Sequence, residues 1–267
     1  MLTVENLGKT YGEGPSATHA IGDVSFDVQE GEFVCIVGPS GCGKTTLLKC
    51  MSGLLPPTTG RAQLRGVPVS DPPGAMAVVF QDYGRSLMPW MSVRGNVMLP
   101  LHHKKLSRAE RQRLVDEAVE SVGLTEFMDH YPWELSGGMQ QRVAIARALA
   151  YEPEILLMDE PFASVDAQTR GDLEDLILQV RDRFGVTILL VTHDIDESVY
   201  LSDRIIVLTP SPTQVNEVLT VDLPRPRDQV ETKELSEFAR LRAHVYRLIK
   251  RELATESPAA EPTIQLK

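Results

Sequence analysis

Apolar residues along the chain fall into two patterns. Short continuous runs alternate with longer stretches in which apolar positions recur every three or four residues. Phe33 to Val37 and Ile155 to Met158 are apolar at every position, and Val186 to Val191 is nearly so. Runs of this kind suit parallel strands covered on both faces. Leu2 to Glu5, Val24 to Val28 and Ala75 to Phe80 are further predicted strands, and 205–208 with 217–221 form a predicted closing pair. Helical spacing predicts helices over Thr46 to Ser52 (stopped by Gly53), 137–150, 167–183 and Glu234 to Leu253. Leu54 to Gly60 is rich in Pro and Thr and is expected to be a loop. Strand plus helix in alternation gives an α/β fold.

Between about 84 and 134 the strand pattern stops. Ser107-Arg108-Ala109-Glu110 is a capping box, and Leu114, Val115, Ala118, Val119 and Val122 follow at helical spacing. This stretch predicts a small helical insert. Ser257 to Pro262 is small and Pro-rich, which predicts a disordered tail.

Composition narrows the function. A chain of 267 residues fits one large α/β domain, or one domain with a small insert. No apolar run approaches the roughly 18 residues of a membrane helix. Met1 to Asn6 lacks the basic-then-apolar order of a secretory signal, so the chain is expected in the cytosol. A net charge of -10 argues against coating nucleic acid, where affinity rests on Lys and Arg. Cys35, Cys42 and Cys50 have no metal-ligand spacing and are expected to be free thiols. Cys42 is expected to be open to alkylation.

The chemistry starts where the Phe33 to Val37 run ends. Gly38-Pro39-Ser40-Gly41-Cys42-Gly43-Lys44-Thr45 is a P-loop pattern between a strand and a helix. Its glycines let backbone N–H groups face phosphate oxygens, and the helix N-terminus adds positive potential. Lys44 can reach the β- and γ-phosphates, and the Thr45 hydroxyl can ligate magnesium. Asp159 and Glu160 end the next buried run at the sheet edge where ligands bind. Asp159 suits the magnesium shell, and Glu160 can accept a proton from attacking water. His193 follows the third run and falls on the same edge. A lone histidine at a strand end is more often structural, but this placement favours a contact with the γ-phosphate. Gln81 can reach metal or water from the last strand before the insert. Tyr11 offers a ring for adenine, although a packed surface tyrosine is nearly as good a reading. Ser136 can cap the helix after it, and Gly137-Gly138 frees N–H groups for an anion. A phosphate already held by a P-loop needs no second nest, so the pair suggests a site completed by another copy.

In this order the motifs resemble those of ABC transporter ATPase subunits: Tyr11 (A-loop), Gly38 to Thr45 (Walker A), Gln81 (Q-loop), Leu135 to Gln141 (signature), Asp159-Glu160 (Walker B), Ser164-Val165-Asp166 (D-loop) and His193 (switch histidine). Val165 stands where the family usually has Leu. Gln81 to Leu101, Tyr131 to Ala150, Pro161 to Arg170 and Leu223-Pro224-Arg225-Pro226-Arg227 resemble the nitrate/sulfonate/taurine importer group. The resemblance implies a P-loop NTPase fold of the ABC ATPase type: a mixed-sheet core, an N-terminal antiparallel β region and a helical insert. The expected domains are 1–84 with 135–225 as ATP-binding core, 85–134 as helical subdomain, 226–254 as C-terminal helical extension and 255–267 as disordered tail. It also implies ATP and Mg2+, with Thr46, Gly137 and Asp166 joining the nucleotide site and Thr45, Gln81 and Asp159 the metal. Expected partners are a second copy packed head to tail, an integral membrane permease and, indirectly, an extracytoplasmic solute-binding protein, but no nucleic acid. That puts the chain on the cytoplasmic face of the membrane. The alternative is a non-transport ABC ATPase acting on nucleic acid or ribosomes.

Overall fold

The structure is a computed structural model that describes residues 1–255, without the side chains of residues 83, 85 and 252–255. Its strands are β1 Leu2–Tyr11, β2 Thr18–Val28, β3 Phe33–Val37, β4 Thr59–Leu64, β5 Val67–Pro68, β6 Met76–Val79, β7 Ile155–Asp159, β8 Thr187–Thr192, β9 Arg204–Leu208 and β10 Thr213–Thr220. The helices are α1 Lys44–Met51, α2 Tyr83–Ser86, α3 Val93–Met98, α4 Arg108–Ser121, α5 Gly137–Ala150, α6 Ala167–Phe184, α7 Ile195–Leu201, α8 Glu231–Glu234 and α9 Ser236–Thr255.

All strands join one sheet in the order β5-β4-β1-β2-β10-β9-β3-β8-β7-β6. From β9 to β6 neighbours run parallel, whereas β1, β2, β4 and β5 pair antiparallel. The expected mixed sheet with an N-terminal antiparallel region is therefore what forms.

The continuous apolar runs have a direct cause. In β3, Phe33, Cys35 and Val37 face one apolar cluster, and Val34 and Ile36 face another. Both faces are covered, so no position tolerates a polar side chain. The first cluster takes in Val97 of α3, Leu114 and Val119 of α4, Ile145 of α5 and Ile177 of α6. The second takes in Leu47, Leu48 and Met51 of α1 with Leu2 and Val4 of β1. Burying one such side chain is worth about 1.5–3 kcal/mol.

Helix starts follow their caps. Ser107 Oγ accepts from the Glu110 N–H at 3.2 Å, and Glu110 Oε2 accepts from the Ser107 N–H at 2.7 Å. Ser136 and Asp166 likewise accept from the N–H groups of Met139 and Thr169.

Some expectations need correction. Strands β1 and β2 extend to Tyr11 and back to Thr18, because register shifts between Val4, Leu7, Lys9 and Thr10 break the alternation that marks a strand. Helix α1 begins at Lys44 rather than Thr46. Strand β4 and helix α7 were not expected. The expected tail loses its first residue to α9, which ends at Thr255. The remainder of that tail, 256–267, lies outside the described residues. Among the described residues no helix is long and apolar enough to cross a membrane.

Candidate functional site

Register within the parallel strands assembles the site. Val37 of β3 lies opposite Thr192 of β8, Asp159 of β7 opposite Val191, and Val79 of β6 opposite Met158. The four strands therefore end together. The residues just beyond their C-terminal ends (the 38–43 loop, His193, Glu160 and Gln81) meet at one sheet edge, where an open parallel sheet binds its ligand.

The 38–43 loop is shaped by Gly43, whose φ of 101° is left-handed and whose Cβ would come within 3.1 Å of the Ala20 carbonyl oxygen. Lys44 is buried, and its Nζ donates to the carbonyls of Gly38 at 2.9 Å and Pro39 at 3.0 Å. The ammonium thus sits in the mouth of the loop at the N-terminus of α1. Pro39, Ser40 and Gly41 form the remaining rim. The thiol of Cys42 is buried, and burial raises its pKa. The expected ease of alkylation is therefore corrected, because the thiolate is the reactive form. Cys35 and Cys50 are also free and buried.

Thr45 Oγ1 donates to Asp159 Oδ1 at 3.2 Å. Burial raises the pKa of Asp159, and the Thr45 hydrogen bond opposes that rise. A hydroxyl and a carboxylate brought together beside a phosphate cradle fit a hard cation such as Mg2+, which prefers oxygen ligands.

Glu160 carries a φ of 43°. That is a strained conformation for a residue with a side chain, of order 1–3 kcal/mol, and such strain concentrates at functional sites. Its N–H is tied to the Val191 carbonyl at 2.8 Å. Glu160 Oε2 lies 3.0 Å from His193 Nδ1 and accepts from Gln81 Nε2 at 3.4 Å. The carboxylate is thus held from two sides.

Tyr11 is exposed, and its hydroxyl lies 3.3 Å from Thr46 Oγ1, so its ring borders the start of α1. Asp166 caps α6, and the Thr169 N–H and hydroxyl hold its pKa low. Ser136 and Gly137 are exposed at the start of α5, while Gly138 is buried against Thr169. Among the described residues, no hydrogen bond joins Ser136, Gly137 or Gly138 to Lys44, Thr45, Asp159, Glu160 or His193. The structure therefore gathers the Walker-type residues, Gln81 and His193 along one edge, with Tyr11 against Thr46 of α1, but does not tie the 136–138 nest to them.

Sequence reasoning missed the support beneath His193. Thr192, Asp194 and Glu197 are bonded together there, and Arg170 of α6 reaches them. The spacing Asp194-x-x-Glu197 is a helix-start pattern that could have drawn notice.

Comparison with known proteins agrees with this geometry. Residues 21–163 match the family described as ABC transporter. The nitrate import ATP-binding protein NrtD of Synechococcus elongatus is 43% identical over 95% of this chain and 93% of its own length. NrtC of the same organism, also a nitrate import ATP-binding protein, is 44% identical over 87% of this chain, which spans only 36% of that longer relative. The bicarbonate transport ATP-binding protein CmpD of Synechocystis sp. is 40% identical, covering 90% of this chain and 86% of the relative. A solved dimeric ATP-binding cassette in a post-hydrolysis state, bound to ADP and Pi, superposes with a TM-score of 0.71 at 34% identity. That match covers 83% of this chain and 99% of the cassette.

Proposed function

We propose a working cycle from one premise: this chain belongs to the ABC transporter family, as an ATP-hydrolysing subunit of the nitrate/sulfonate/taurine importer group that uses ATP and Mg2+. It powers uptake through a separate membrane permease and works as a dimer. The solute we infer is a small anion of the nitrate or bicarbonate kind, the cargo for which the relatives are named. An extracytoplasmic solute-binding protein would deliver it.

In the proposed site the Gly38 to Gly43 amides and Lys44 hold the β- and γ-phosphates, and the ring of Tyr11 lies against adenine. Thr45, Asp159 and Gln81 would hold Mg2+, which when bound neutralises charge on the transferring phosphoryl group. Glu160 accepts the proton of the attacking water, and His193 fixes the carboxylate that does so. Asp166 orders the start of α6 beside the site. Ser136 and the Gly137-Gly138 amides serve the γ-phosphate of the partner copy, because their own chain gives them no bond to its P-loop set. The helices within 85–134 would move with Gln81 and carry closure to the permease.

One observation carries this reading: Thr45 with Asp159, and Glu160 with His193 and Gln81, converge on one edge while Ser136 stands apart. The test mixes Lys44→Ala chains with Ser136→Arg chains, each inactive alone. A mixed dimer has one intact composite site and one doubly damaged site. ATPase activity recovered on mixing, or ATP-dependent crosslinking of the two variants, supports shared sites. The absence of both recovery and crosslinking rejects them. Co-purification with a membrane permease supports transport, whereas nucleic acid or ribosomes would favour the alternative.

A further inference from the structure

Under the His193 turn lies a polar cluster that the proposed cycle does not use. Glu197 is 4% exposed, and its Oε2 accepts from the Thr192 hydroxyl at 2.6 Å. The same hydroxyl accepts from the Asp194 N–H at 3.0 Å. His193, sitting between Thr192 and Asp194, is therefore held by bonds to both of its neighbours. Asp194 Oδ1 caps α7 through the N–H groups of Asp196 and Glu197.

Helix α6 closes the cluster from the other side. Arg170 Nη1 donates to Asp194 Oδ2 at 3.2 Å, and its Nε lies 3.8 Å from Glu197 Oε1. That Nε is buried and makes no hydrogen bond among the described residues. Arg170 also helps line a cavity of about 40 Å³, together with Glu160, Thr192, His193, Asp194 and Glu197. The volume is enough for one water. Arg170 is also one turn past the Asp166 cap, and its N–H donates to the Asp166 carbonyl at 2.9 Å. One guanidinium thus links the Asp166 end of α6 to the turn that carries His193.

We propose that Arg170 and Glu197 are positioning residues for hydrolysis: they clamp the Thr192–Asp194 turn onto α6, so that His193 and the Asp166 end of the helix keep one relative placement. The clamp acts through His193 on Glu160, and so rests on the roles proposed for those two residues.

Its charges face one another from several elements. Glu197 looks onto Asp194 of its own turn, onto Arg170 and Glu174 of α6, and onto the buried Cys35 of β3. Glu174 is in turn held by Gln229 at 3.0 Å and by Lys233 of α8 at 3.6 Å. On α9, Arg242 reaches Asp196 at 3.7 Å. Burial moves Glu197 up to about 7, so its charge, and with it the attraction to Arg170, changes near neutral pH.

The experiment measures steady-state ATPase rate and ATP affinity of the full chain and of Arg170→Ala, Arg170→Lys, Glu197→Gln and His193→Ala. Loss of placement without loss of the phosphate cradle predicts that Arg170→Ala lowers kcat by roughly tenfold or more with Kd for ATP changed less than about twofold. Arg170→Lys keeps a cation beside Asp194 and should recover part of kcat. The parent should lose kcat as pH falls from about 8 to 6, and Glu197→Gln should flatten the part of that profile that Glu197 causes.

An Arg170→Ala enzyme with parental kcat, or one in which kcat and affinity fall together, overturns the clamp. So does a Glu197→Gln pH profile that superimposes on the parent's. The near-isosteric Glu197→Gln carries the same comparison of kcat with Kd if Arg170→Ala does not fold. Loss of kcat in His193→Ala with none in Arg170→Ala removes the clamp alone. Parental kcat in His193→Ala removes the clamp together with the role given to His193.

Discussion

Substituting Gly138 by Ala tests how the 136–138 nest is mounted. An added Cβ would lie 2.4 Å from Thr169 Cγ2, about 1 Å inside the 3.4 Å at which ordinary contact begins. Thr169 cannot turn aside without loss. Its hydroxyl donates to Asp166 Oδ2 at 2.7 Å, and its N–H donates to Asp166 Oδ1 at 3.0 Å. Overpacking of this kind costs about 1–3 kcal/mol. Replacing a helical glycine returns at most about 1 kcal/mol, and less in the first turn. The net expectation is a loss of about 1–2 kcal/mol, or a drop of roughly 2–8 °C in Tm for a chain of this size. Thr169→Ser deletes Cγ2 but keeps the hydroxyl that caps α6. The double variant Gly138→Ala/Thr169→Ser should therefore regain most of the loss, with a coupling of about 1 kcal/mol. Denaturant unfolding of the parent, both single variants and the double variant, all without nucleotide, measures this apart from any effect on ATP. An unchanged stability for Gly138→Ala, or the same loss with Ser at 169, would refute the packing argument.

Lys44→Ala should weaken ATP binding itself, because a cation inside the phosphate loop is removed; unchanged affinity in a nucleotide titration would mean that the loop is not the cradle. Removing Mg2+ with a chelator should abolish hydrolysis, and Thr45→Ala should raise the Mg2+ concentration needed for half-maximal rate, since Thr45 stands beside Asp159. The raised pKa of Glu197 also has a stability consequence. The folded chain keeps a proton that the unfolded chain gives up, so stability falls as pH rises from the ordinary 4.5 towards about 7. Glu197→Gln removes this dependence, and its stability relative to the parent should improve by up to about 3 kcal/mol between acid and pH 8. A difference between the two unfolding curves that stays constant with pH would contradict the shift.

The sequence exposes the centre of this protein better than its margins. Strands β3, β7 and β8 are covered on both faces, so their apolar runs stand out and lead directly to Lys44, Asp159, Glu160 and His193. Helix α5 was legible at both ends because Ser136 is a cap and the apolar spacing begins at once. Strand β4 was not. It lies near the sheet edge, only Ala62 and Leu64 along it are buried, and Thr59-Gly60-Arg61 reads as loop. Helix α7 is a short element directly after a strand, and its Glu197 turns inward to Thr192 instead of serving the cap. The clamp beneath His193 was invisible for a related reason. Arg170 and Glu197 are ordinary helix residues until the fold brings two helices together.

In the proposed cycle ATP is bound between two copies, and Glu160 is the base that ends the bound state. The most direct measurement is the mass in solution of Glu160→Gln with and without ATP, beside the same variant carrying Ser136→Arg. Glu160→Gln should form a dimer only with ATP, and should be a monomer that still binds ATP once Ser136→Arg is added. A Glu160→Gln chain that binds ATP but stays monomeric, or one that dimerises equally with Arg at 136, would contradict it.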